Sequence, residues 1–101
     1  MYNSHVTGAR VLIVEDEVLI AMDVEQICLE HGARSVLIAS TVPAVSVLDL
    51  TAFDVAILDR EVGGQSTHTI ARSLAEFGIP FVFTSGFPDE LESTEFALGP
   101  L

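Results

Sequence analysis

The sequence predicts an α/β domain in which short apolar strands alternate with helices and assemble into a parallel sheet covered on both faces. Three observations carry this. The apolar runs are four or five residues long, the length of a strand and far short of a membrane span. They are nearly continuous rather than alternating, as strands buried on both faces must be. The segments between them show helical spacing and stop at glycine. With 101 residues, half of them hydrophobic, the chain makes one domain with a real core.

Met1 to Ala9 is polar and mixed and reads as a frayed tail, so the domain is expected over residues 10–101. This tail lacks the basic region and apolar block of a secretory signal. Arg10 to Val14 carries the run VLIV, a buried strand, and Glu15, Asp16 and Glu17 end it. From Val18 to His31 the spacing turns helical, with Ile20, Val24 and Ile27 on the apolar face and Gly32 as the stop. Ser35 to Ala39 is the second strand. A second helix starts at Thr41 and Pro43 and runs to about Leu50, since proline is tolerated in a first turn.

Phe53 to Leu58 is the third strand and delivers Asp59. Gly63 and Gly64 mark a loop. Ser66 or Thr67 caps the third helix, which presents Ile70, Leu74 and Phe77 and stops at Gly78. Pro80 to Thr84 is the fourth strand. After a turn at Gly86 and Pro88, a fourth helix is expected to Ala97, acidic in its first turn as the helix dipole favours.

Charge narrows the function. Fifteen acidic residues face four basic ones, for a formal charge of -11. The basic residues are Arg10, Arg34, Arg60 and Arg72, and no lysine occurs. Such a surface lacks the electrostatic footprint of a nucleic-acid binder and is repelled by anionic lipid. Cys28 is the single cysteine, within a helical pattern, and reads as a small core residue. It shares no metal-ligand spacing with His5, His31 or His68, and a lone thiol fits a reducing cytoplasm.

In an open parallel sheet, ligands bind at the carboxyl ends of the strands. Strand one delivers Glu15 and Asp16, strand three Asp59, and strand four Thr84 and Ser85. If strands one and three are neighbours, three carboxylates crowd one edge, and each raises the others' pKa. A hard divalent cation relieves this. Magnesium takes one or two carboxylates, phosphate oxygens and waters. A carboxylate beside it can attack phosphorus and form an acyl phosphate.

Three segments carry a resemblance to receiver domains of two-component response regulators. Val11 to Glu17 (VLIVEDE) resembles their first strand, Asp54 to Asp59 (DVAILD) their phosphoacceptor strand, and Pro80 to Phe87 (PFVFTSGF) their fourth strand and switch residue. The last is similar to a branch in which the segment reads Phe-Ala-Thr-Gly-Tyr. There Thr84 takes the alanine place, Ser85 the switch hydroxyl, with Thr84 its competitor, and Phe87 the tyrosine place. The resemblance implies a flavodoxin-like, doubly wound sheet of order 2-1-3-4(-5). It implies Asp59 as phosphoacceptor and a magnesium ion on Asp16, Asp59 and the backbone carbonyl of Glu61, with Glu15 acting mostly through water. It also implies a histidine kinase or phosphotransfer protein as donor, and an unidentified downstream protein as output. Such a domain is not an enzyme beyond transfer onto itself and slow autodephosphorylation.

Two departures stand out. Receiver domains carry a lysine after a fifth strand, and here no lysine occurs and the sequence stops at Leu101. The fifth strand and helix are therefore expected to be missing, through truncation in preference to degeneration. Arg60 stands directly after the acceptor, where an apolar residue is usual. Two other readings stay open. One is a degenerate receiver acting as a phosphorylation-independent interaction module. The other is a phosphohydrolase with an aspartate nucleophile, whose second Asp would fall at Glu61. Without a fifth strand, Phe81, Val82 and Phe83 would form an apolar sheet edge open to self-association.

Overall fold

In the computed structural model, which describes residues 6–84, ten short elements follow one another along the chain. They are β1 (Arg10–Val14), α1 (Val18–Glu30), β2 (Ser35–Ala39), α2 (Val42–Ser46), a 3-10 turn (Leu50–Ala52), β3 (Val55–Leu58), β4 (Glu61–Val62), β5 (Gln65–Ser66), α3 (His68–Glu76) and β6 (Phe81–Phe83). Four strands form a parallel sheet in the order β2-β1-β3-β6. This is the expected order, with β6 as the fourth strand foreseen from sequence.

Side-chain alternation divides the core between the two faces of the sheet. Leu12, Val14, Ala56, Leu58 and Phe81 point to one face, where Val45 of α2 and Ile70, Ala71 and Leu74 of α3 close over them. Val11, Ile13, Val55, Ile57 and Val82 point to the other, where Val24 and Cys28 of α1 pack. Leu12, Ile13, Ile57 and Leu58 are wholly buried, each contributing roughly 1.5–3 kcal/mol of transfer free energy. α1 and α3 end alike. Gly32 and Gly78 adopt positive φ, and the amides of Ala33 and Ile79 bond back to the carbonyls of Cys28 and Leu74 at 3.0 and 2.9 Å.

The structure departs from the sequence expectations at several points. Residues 6–9 are not loose: Val6 and Ala9 are buried against the α1 face of the sheet, and Gly8 N donates to Gly32 O at 2.7 Å. The apolar face of α1 is Ala21, Val24 and Cys28 with Ile27 at its margin, whereas Ile20 is 41% exposed. α2 has only five residues. Thr41 does cap it, accepting from Ala44 N at 3.1 Å, but Asp49 then accepts from Thr51 N and starts the separate 3-10 turn. Phe77, expected on the packed face of α3, is 59% exposed at its end. Gly63 and Gly64 form more than a loop, for they join β4 and β5 as an antiparallel hairpin. Ser85, Phe87 and the expected fourth helix lie outside the described residues. Among the described residues no helix is long and apolar enough to cross a membrane.

Candidate functional site

The site is built where β1 and β3 run out. Backbone pairing continues one residue past each strand: Glu15 N donates to Ala39 O at 3.1 Å, and Asp59 N donates to Val14 O at 2.9 Å. These bonds pin Glu15 between β1 and β2 and set Asp59 beside it. Glu15 is 2% exposed, a rare placement for a carboxylate, and its Oε2 accepts from Glu17 N at 3.1 Å.

Asp16 is exposed and held from across the site. Its Oδ2 accepts from Gly63 N at 2.9 Å. Gly63 and Gly64 both have positive φ, 60° and 77°, the pattern of a two-residue hairpin turn that non-glycine residues adopt at a cost. That turn turns the Gly63 amide toward Asp16. The sequence reading missed this contact, although a Gly-Gly pair between Val62 and Gln65 is the usual signal for such a hairpin.

Asp59 is fixed through its backbone as well. Thr67 is wholly buried, its Oγ1 donates to Asp59 O at 2.6 Å, and its amide donates to Arg60 O at 3.0 Å. The expected helix cap divides accordingly. Ser66 Oγ accepts from His68 N at 3.1 Å, while Thr67 clamps the turn after Asp59.

One carboxylate oxygen from each of Glu15, Asp16 and Asp59 lies within 4.8 Å of the others. The electrostatics follow from this crowding. Burial first, then the charges of Asp59 and Asp16, push the Glu15 carboxyl above its ordinary range, against the Glu17 amide bond that favours ionisation. The Gly63 amide instead holds the Asp16 carboxyl below its usual range. Three oxygen donors of this kind fit a hard divalent cation.

The remaining candidates surround this cluster. Glu61 opens β4 with its side chain exposed, two residues beyond Asp59. Thr84 is half-buried directly after β6. Leu58 is paired with Phe83, so the same register continued by one residue sets Thr84 abreast of Asp59. The Arg60 guanidinium lies over the Phe83 ring, 4.0 Å from its centroid. Cys28 is far from this chemistry, and burial, with Glu25 adding to it, pushes its thiol up to about 12.

No protein-family model matches the sequence, and comparison with curated proteins yields no match. Several solved structures are similar, two of them response-regulator proteins. The non-phosphorylated HemR receiver domain from Leptospira biflexa has a TM-score of 0.62 at 22% identity, over 86% of this chain and 74% of that one. The PhyR stress response regulator has a TM-score of 0.57 at 27% identity. That match covers 75% of this chain but only 31% of PhyR, so the chain corresponds to less than a third of that protein's length.

Proposed function

We propose that this receiver domain is a phosphoacceptor signalling switch that takes a phosphoryl group onto Asp59 from a histidine kinase or a histidine phosphotransfer protein. The observation that carries the reading is the convergence of Glu15, Asp16 and Asp59, whose oxygens lie within 4.8 Å at the carboxyl edge of a parallel sheet. Asp16, Asp59 and the backbone carbonyl of Glu61 would hold magnesium, with Glu15 acting mostly through water. When bound, the ion would offset part of the clustered charge and of that on the oxygens in transfer.

In the transfer, a carboxylate oxygen of Asp59 forms a bond to phosphorus as the donor's P–N bond breaks. The departing imidazole keeps the electron pair, and its proton inventory is completed from solvent. Water later attacks the acyl phosphate and returns Asp59 and inorganic phosphate. Thr67 serves this chemistry by fixing the Asp59 carbonyl, and Gly63 by orienting Asp16. Ser85 is assigned the switch hydroxyl, donating to a phosphoryl oxygen only in the modified state, with Phe87 repacking behind it. Only such a difference between states can shift their populations. Thr84, abreast of Asp59, is the competitor for this role. The output is a downstream protein, and the setting is the cytoplasm.

Incubation with acetyl phosphate and magnesium tests the reading. The chain should take up one phosphoryl group and lose it slowly, and Asp59→Asn should take up none. Equal labelling of the mutant would remove Asp59 from the role. Release of many phosphates per chain would turn the reading to a hydrolase, and no uptake at all to a phosphorylation-independent module.

A further inference from the structure

Each of the other three arginines is either engaged or placed elsewhere in the fold. Arg10 is bonded to Asp54 at the amino end of the strands. Arg34 precedes β2, also at that end, and Arg72 contacts His68 on α3 at 3.2 Å. Arg60 alone follows a site carboxylate directly, and among the described residues it makes no ion pair. Its guanidinium instead rests on Phe83, in a recess of 130 Å³ that Ser66, Thr67 and His68 complete.

We infer that Arg60 is a phosphoryl-binding residue of this site, held on the Phe83 ring in the resting state and transferred to the phosphoryl oxygens once Asp59 is modified. The inference rests on the reading of Asp59 as acceptor. Charge motivates it. Three carboxylates outweigh one divalent cation, and transfer exchanges the single charge of Asp59 for about two on the phosphoryl group. Among the described residues, Arg60 is the basic residue that directly follows the acceptor in sequence.

Geometry permits it. Thr67 clamps the Asp59 and Arg60 carbonyls, so the backbone stays fixed while the long Arg60 side chain swings. An exposed guanidinium–ring contact is weaker than a bidentate guanidinium–phosphate pair, so the exchange runs toward the phosphate. The same step uncovers the face of Phe83, next to Thr84 at the end of β6.

Binding of beryllofluoride with magnesium, a non-covalent phosphoryl mimic, tests this on the full chain. Arg60→Gln should weaken beryllofluoride binding about tenfold, the loss expected for one charge-assisted contact. Magnesium alone should bind Arg60→Gln as well as the parent or better, because a cation has left its neighbourhood. Arg60→Lys should recover part of the loss, and Phe83→Leu should bind beryllofluoride at least as tightly as the parent. In the parent, the Phe83 ring resonances should shift on adding beryllofluoride, and in Arg60→Gln this shift should shrink. Equal beryllofluoride affinity in Arg60→Gln and the parent overturns the inference. So does an equal loss of magnesium binding, which would make the effect structural. A parent that binds magnesium but no beryllofluoride removes the acceptor reading itself.

Discussion

At the amino end of the sheet, Asp54 meets Arg10; at the carboxyl end, Glu15, Asp16 and Asp59 meet one another. The first pair is fully answered. Arg10 donates from its amide and from two guanidinium nitrogens to the Asp54 carboxylate at 2.8–2.9 Å, and Asp54 N returns a bond to Arg10 O. Bonds from Arg10 bring the Asp54 carboxyl down to about 2. At the other end no cation answers the carboxylates among the described residues, and Glu15 is pushed the opposite way. β1 and β3 supply both ends, so strand composition does not cause the difference. Charge is neutralised within the protein at the amino end and left uncompensated among the described residues at the carboxyl end, as a site for a hard divalent cation requires.

The largest expected effect at the carboxyl end is magnesium stabilisation. At a hundredfold excess over its dissociation constant, magnesium should stabilise the native state by about 2.7 kcal/mol. Thermal unfolding with and without the ion measures this. Asp16→Ala should reduce the gain more than Glu15→Ala does, and equal gains in both mutants and the parent would break the comparison.

Opposite signs should follow from neutralising one carboxylate at each end. Glu15→Gln keeps an acceptor for the Glu17 amide and removes a buried, repelled charge, so without metal it should raise stability by about 1 kcal/mol. Denaturant unfolding in a chelator tests this, and a destabilised mutant would show that Glu15 is held for its fold contribution.

Asp54→Asn should instead lower stability, by less than about 1 kcal/mol because the pair is exposed. The effect has a defined pH window. The folded pKa lies below the ordinary value, so the contribution is present above 3.8 and is lost as pH falls toward about 2. The difference between parent and mutant should vanish across that window, and a constant difference would contradict it.

How far the sequence revealed this depended on how strongly burial constrains each segment. β1 and β3 were legible because both faces are covered, which demands unbroken apolar runs. The order of strands came from the resemblance, and with strands one and three adjacent the meeting of Glu15, Asp16 and Asp59 followed. The packed face of α1 was not legible. Val18 to Met22 is apolar at every position, so spacing cannot select a face. Small Ala21 and Cys28 beside Val24 allow the helix to lie close on the sheet, leaving Leu19 81% exposed. The early end of α2 escaped notice because Asp49 spends its side chain on Thr51, a local bond that competes with the helix. Within the site, the three clustered carboxylates were readable but their supports were not. The Gly63 amide and the Thr67 hydroxyl act through bonds spanning 47 and 8 residues, visible only once the chain has folded.

The most direct test of the account is to locate the phosphoryl group by peptide mass spectrometry after labelling, in magnesium and in a chelator. The account predicts one acyl phosphate, on the peptide carrying Asp59, that forms with magnesium and fails to form in the chelator. Label on any other residue, or equal labelling of Asp59 in the chelator, would contradict it.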